Sequence, residues 1–156
     1  MRKYVIFVGV GGVGKTTLVY RLVGVRLAPS PTKRPGFYHA YLKGGSYYIL
    51  DVPGQYVDEV VETLSKIVFI FFDRALLVYD LTRRDTLQAL YEIADRLCRF
   101  HKCISAKELW VVGNKKDLAV SLGVEHTPDL STLGAQRYVK ISAIHDPFDK
   151  ILELLP

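Results

Sequence analysis

The apolar positions change their period along the chain, and each change marks an element. Tyr4 to Val8 is a short apolar run that ends at Gly9, and Lys15 to Val23 carries Leu18, Val19, Leu22 and Val23 on one helical stripe closed by Gly24. The order is strand, glycine loop, helix. Val25 to Gly36 has no period and holds Pro29, Pro31 and Pro35, which predicts an exposed loop. Phe37 to Leu42 and Ser46 to Leu50 flank Lys43-Gly44-Gly45 and predict an antiparallel hairpin, with Asp51 at a strand end. Val57, Val60, Val61, Leu64, Ile67 and Val68 return to helical spacing, and Phe69 to Phe72 fits either helix or loop. Ala75 to Leu81 reads as a fully buried strand, with Asp85 as N-cap of a helix burying Leu87, Leu90, Ala94 and Leu97. Leu109 to Gly113 is another buried strand. Thr127-Pro128 predicts the start of a short helix ending at Gly134, Tyr138 to Ile141 a last strand, and a closing helix buries Phe148, Ile151, Leu152 and Leu155. Apolar strands alternating with helices predict an α/β fold, with a mostly parallel sheet covered on both faces.

Composition narrows the function more than the fold. The 156 residues, 49% hydrophobic and 24% charged, can bury one core, so 1–156 is expected to form one domain. The longest apolar run, Ile67 to Phe72, is far shorter than a membrane span, and no secretion signal opens the chain. Cys98 and Cys103 are poorly spaced for a disulfide, which points to a reducing, cytoplasmic setting. A net charge of +5 permits an anionic partner, but the Lys and Arg pairs are scattered without interleaved aromatics, so no nucleic acid is expected. The single Asn, single Met and three Gln form a depletion of thermolabile residues of the thermophilic kind.

The segment Gly9-Val10-Gly11-Gly12-Val13-Gly14-Lys15-Thr16 fits G-x-x-x-x-G-K-[ST] between a predicted strand and a predicted helix. A triphosphate needs several donors converging on it, and glycines let backbone N–H groups curve around the β-phosphate without Cβ clashes. The helix behind adds its dipole, Lys15 a point charge for the β and γ oxygens, and the Thr16 hydroxyl a Mg²⁺ ligand. Chance produces the pattern in roughly one chain of this length in two hundred. A nucleoside triphosphate site follows, with base and reaction still open.

Two further motifs, Asp51-Val52-Pro53-Gly54-Gln55 and Asn114-Lys115-Lys116-Asp117, together with Ser142-Ala143 after the last strand, resemble the small GTPases of the Ras and Arf superfamily. The resemblance covers essentially the whole chain. It implies the P-loop NTPase architecture: a three-layer αβα fold on a mostly parallel six-stranded sheet with one antiparallel edge hairpin. It assigns Gly11, Gly12, Val13, Gly14, Lys15, Thr16 and Thr17 to the phosphates and Asn114, Lys115, Asp117, Ser142 and Ala143 to the base. An Asp117 carboxylate accepts from guanine N1–H and the 2-amino group, a pair that adenine cannot donate. By resemblance, Asn114 ties its segment to the phosphate loop, the Lys115 stem packs on the base and the Ala143 N–H meets the guanine carbonyl. Thr16, Thr32 and Asp51 are the implied metal set, Asp51 acting through a water. Gly54 would contact the γ-phosphate and Gln55 orient the attacking water, so that Gln55, Lys15 and Gly54 carry the catalysis. Plain structural readings stand beside these: Lys115-Lys116 as surface charge, Ser142-Ala143 as a turn, Asp51 as a strand-end acid, Thr32 as a proline-turn residue.

Thr32 lies nineteen residues before Asp51, the spacing of an Arf-like hairpin, and Val-Pro-Gly-Gln is similar to prokaryotic GTPases of the MglA kind, which work with roadblock-type dimers. Lys33-Arg34-Pro35-Gly36-Phe37 departs from both the Ras and Arf patterns, and Pro29-Ser30 stand where Gα proteins carry a catalytic arginine. The usual lipidation signals are not found: position 2 is Arg, and no cysteine lies near Leu154-Leu155-Pro156. The expected protein is a monomeric GTP switch using Mg²⁺, slow alone, served by effectors, an exchange factor and an activating protein that inserts an arginine in trans. The alternatives are a GTP-loaded scaffold subunit that hardly hydrolyses, and a P-loop kinase for a small metabolite, which leaves Asn114 to Asp117 without a purpose.

Overall fold

The computed structural model describes residues 1–26, 34–66, 71–98 and 106–156. Among these residues, six strands form one sheet: β1 (Arg2–Gly9), β2 (Gly36–Leu42), β3 (Gly45–Pro53), β4 (Phe72–Asp80), β5 (Ala106–Asn114) and β6 (Arg137–Lys140). Their order is β2-β3-β1-β4-β5-β6, with β2 antiparallel to β3 and every other neighbouring pair parallel. The helices are α1 (Lys15–Val23), α2 (Val57–Ser65), α3 (Arg84–Cys98), α4 (Lys116–Leu122), α5 (Leu130–Leu133) and α6 (Phe148–Leu152). This is the mixed, mostly parallel sheet with one antiparallel edge hairpin that the sequence predicts. At its hairpin, Lys43 and Gly44 both have positive φ, as a two-residue turn matched to the twist of the strands requires.

Alternation along the strands divides the core in two. Ile6 and Val8 of β1, with Ala75, Leu77 and Tyr79 of β4, face Val57, Val60 and Val61 of α2 and Leu87, Leu90 and Ile93 of α3. Val5 and Phe7, with Leu76 and Val78, face Leu18, Val19 and Leu22 of α1 and Ile151, Leu154 and Leu155 at the end of the chain. Side chains of period two therefore feed two separate cores from the same strands. At the end of the sheet away from the phosphate loop, the Arg74 guanidinium stacks on Trp110 at 3.6 Å and donates to the Leu154 carbonyl.

The structure corrects several predicted details. Asp129, rather than Thr127, caps α5, since its carboxylate accepts from the Ser131 and Thr132 N–H groups. Asp85 lies inside the first turn of α3, and the entry to that helix is closed by Thr86, whose hydroxyl accepts from Asp80 N–H and donates to the Arg83 carbonyl. Phe148 is 40% exposed, whereas Leu154 and Leu155, beyond the helix end, are buried; the chain turns after α6 and packs its last leucines instead. Phe72 opens β4, and α4 has no counterpart in the predicted elements. The proline loop at 27–33 with Thr32, the helical positions Ile67 and Val68, and Cys103 lie outside the described residues. Among the described residues, no helix is long and apolar enough to cross a membrane.

Gly113 tests the packing of the α2–α3 side. A Cβ there would meet Leu81 Cδ2 at 2.6 Å and the Tyr138 hydroxyl at 3.2 Å. Gly113→Ala should lower stability by about 1–3 kcal/mol in urea unfolding, with an unchanged m-value.

Candidate functional site

The site grows from the carboxyl ends of the parallel strands, where β1, β3, β4, β5 and β6 all release their chains on the same side of the sheet. From β1 the chain enters the glycine loop and then α1, whose first turn holds no acidic residue, so its positive dipole end is uncompensated. Gly14 has φ +85 and forms the N-cap; a Cβ on it would run into the Asn114 side-chain nitrogen. The loop is thus shaped to fit against β5. Gly11 and Gly12 are exposed, Val13 is buried and Thr17 half-buried.

Lys15 and Asp51 are both buried, and the Lys15 ammonium donates to Asp51 Oδ1. Burial pushes the Lys15 ammonium below its ordinary value, with the charge and hydrogen bond of Asp51 opposing. The Thr16 hydroxyl lies 3.3 Å from Asp51 Oδ2. Hydroxyl and carboxylate together form a hard oxygen pair, which fits magnesium, an ion usually held by one or two protein ligands plus phosphates and waters. Among the described residues, no group of three or more His, Cys, Asp or Glu could hold a metal on its own. Thr32, the third predicted ligand, is outside the described residues.

Asn114 is buried at the end of β5 and bonds in two directions. Its Nδ2 donates to the Val13 carbonyl at 2.8 Å, and its Oδ1 accepts from the Ala143 N–H at 2.8 Å. The Ala143 N–H, read from the sequence as a base contact, is therefore already engaged, and a base carbonyl would have to share it. Lys115 adopts φ +64, rare for a residue with a Cβ, and its ammonium donates to the Gly12 carbonyl at 2.8 Å while lying 3.1 Å from Asp80 Oδ2. Asp80 is buried and also accepts from the Thr82 N–H and hydroxyl. Burial raises the Asp80 carboxyl, but the Thr82 and Lys115 hydrogen bonds outweigh it and hold the group below its ordinary range.

Asp117 is partly exposed, and its Oδ1 accepts from the Ser142 hydroxyl at 2.9 Å. The turn after β6 is fastened from two sides. Arg21 of α1 donates to the Ala143 and Asp146 carbonyls at 2.9 and 2.7 Å, and the Asp146 carboxylate accepts from the Ser142 N–H at 2.8 Å. Gln55 is exposed on the short 3₁₀ turn Gly54–Tyr56. Buried Gly54 would place a Cβ 3.0 Å from Ile93 and 3.3 Å from Val10, so it sits against the phosphate loop and α3. Arg96 of α3 holds this region through Asp58 at 2.9 Å.

The structure thus gathers Lys15, Thr16 and Asp51 in one group, Val13, Gly12, Asn114, Lys115 and Ala143 in a second, and Asp117 with Ser142 in a third. Sequence reasoning missed Asp80, Arg21, Asp146, His145 and Arg83. The Nη1 atom of Arg83 lies 3.5 Å from where a Gly12 Cβ would stand. Asp80 ends a buried parallel strand and Arg83 follows it, the signal that could have found them. A family model described as the Ras family matches residues 4–147. No curated protein matches the chain.

Asn114→Ala would strand the Val13 carbonyl and the Ala143 N–H together. We expect a loss of about 2–4 kcal/mol in chemical denaturation, far above a typical surface substitution. The Asp80 carboxylate, held below its ordinary value when folded, contributes stability above that value which is lost as pH falls through the folded one. The stability gap between wild type and Asp80→Asn should stay constant from pH 8 to about pH 5 and close below about pH 4, measured by urea titration at each pH.

Proposed function

The chain belongs to the Ras family, and on that premise we propose that it is a GTP-hydrolysing switch, a single domain over 1–156 acting as a cytoplasmic monomer. Members of this family bind guanine nucleotides. The observation that carries the finer reading is the two-way hydrogen bonding of Asn114, which links the loop bearing Lys15 and Thr16 to the segment bearing Asp117 and the turn bearing Ser142. A phosphate grip and a purine reader are then fixed at one spacing, and a nucleotide is the ligand whose two ends match it.

In this reading the loop amides from Gly11 to Gly14 and the Lys15 ammonium bind the β- and γ-phosphates, and the burial of Lys15 strengthens that attraction. Thr16 and Asp51, with Thr32, would hold Mg²⁺, which when bound neutralises charge on the phosphate oxygens. The Gly54 N–H meets the γ-phosphate, and the Gln55 amide both accepts from the attacking water and donates toward the transferred group. Phosphate release would free the Gly54 turn, which Arg96 couples to α2 and α3, the surface offered to effectors. An exchange factor and an activating protein supplying an arginine in trans would complete the cycle, worth about 10³–10⁵ in rate. A second reading, a GTP-loaded scaffold with little hydrolysis, is favoured by the departure of Lys33 to Phe37 from the family pattern.

Two variants test the proposal. Asp117→Asn should move preference from guanine toward xanthine nucleotides, whose 2-carbonyl accepts where the amino group donates; wild-type protein that binds ATP within tenfold of GTP would refute the base assignment. Gln55→Leu should keep GTP affinity within about twofold yet lower single-turnover hydrolysis by at least tenfold. Equal hydrolysis by Gln55→Leu and wild type would favour the scaffold.

A further inference from the structure

One turn approaches both oxygens of Asp117, the first through a hydroxyl hydrogen bond and the second through an imidazole contact. The Ser142 hydroxyl donates to Oδ1, and the His145 Nε2 atom lies 3.3 Å from Oδ2. The same hydroxyl accepts from the His145 N–H at 3.2 Å, so serine, histidine and aspartate close a small ring of contacts. The backbone that presents His145 is itself held: the Asp146 N–H donates to the Ser142 carbonyl at 2.9 Å, the Asp146 carboxylate receives Ser142 N–H, and Arg21 pins the Asp146 carbonyl from α1. The other charges around this turn, Lys116 at 3.5 Å and Lys150 at 3.7 Å, are directed to Asp146. His145 is thus the ring beside the second oxygen of Asp117.

We propose that His145 is a positioning residue for guanine recognition, orienting the Asp117 carboxylate so that both of its oxygens meet the base at once. The inference rests on the guanine reading of Asp117 given above. An ionised carboxylate has about four acceptor positions. With the serine hydroxyl bonded to one oxygen and the imidazole beside the other, each oxygen keeps a position open to the base. Rotation about the terminal bond of aspartate is otherwise soft. A base with one donor can follow a rotating carboxylate, whereas a base with two adjacent donors needs its plane fixed. Guanine has two, N1–H and the 2-amino group; hypoxanthine keeps only N1–H. His145 should therefore matter to guanine and little to hypoxanthine, a difference that loosening of the turn would not produce, since the His145 N–H bond to Ser142 is backbone and survives substitution.

The test measures binding of GDP, inosine diphosphate and ADP to wild type, His145→Ala and His145→Gln by displacement of a fluorescent GDP. Asp117 and His145 are partly exposed, at 43% and 65%, so a modest effect is expected. His145→Ala should lose roughly three- to tenfold in GDP affinity and less than twofold in inosine diphosphate affinity. His145→Gln, which keeps an N–H donor, should regain most of the difference. An unchanged ratio of GDP to inosine diphosphate affinity in His145→Ala would overturn the proposal, as would tighter GDP binding, which would make the ring a competitor of the 2-amino group. Wild-type protein that binds GDP no better than ADP would overturn the guanine reading, and the proposal with it.

Discussion

One side-chain amide ties three segments of the chain into register. Asn114 donates to the loop after β1 and accepts from the turn after β6, while its own backbone ends β5. Few side chains can do this, since the position demands a donor and an acceptor at fixed separation on a short planar group in a buried place. Aspartate would offer no donor, and a longer amide would not fit beside Gly14, whose missing Cβ leaves the room that the Asn114 nitrogen occupies. That the chain's single asparagine stands here agrees with such a demand.

Charge is arranged around the same loop in a graded way. Lys15 is buried against Asp51, Lys115 is half-exposed between Gly12 and Asp80, and Arg83 is exposed beside Gly12 with Asp85 as partner. Each cation already has an anion, which limits the cost of holding positive charge close together. The left-handed backbone at Lys115 is a strained conformation, on the order of 1 kcal/mol or more for a residue with a Cβ, and the two bonds of its ammonium are what offset it.

Much of this was legible in the sequence, for reasons that differ by element. The glycine loop, Asp51, Gly54 and the Asn114 to Asp117 run are short motifs whose chemistry needs fixed spacing, so they could be read without a structure. The strands were legible because parallel strands buried on both faces leave unbroken apolar runs, as at Ala75 to Tyr79. Contacts made by turns were not legible. Asp129 outcompetes Thr127 as a cap because a carboxylate reaches two backbone N–H groups at once, and nothing in the spacing distinguishes them. His145 meets Asp117 across a separation that only the packing of α4 beside the β6–α6 turn creates. Phe148 sits at a helical position that reads as buried, yet the early end of α6 lets Leu154 and Leu155 take its place.

The division of the core has a mechanical meaning. The sheet acts as a partition: α1, α6 and the turn that Arg21 fastens bear on one side, and α2, α3 and the Gly54 turn bear on the other. A displacement of α2 disturbs only the packing on its own side, because the strands' other face shares no side chains with it. The two cores are therefore separated from each other by one layer of backbone, and they meet at the sheet's carboxyl edge, where Val10 packs against both.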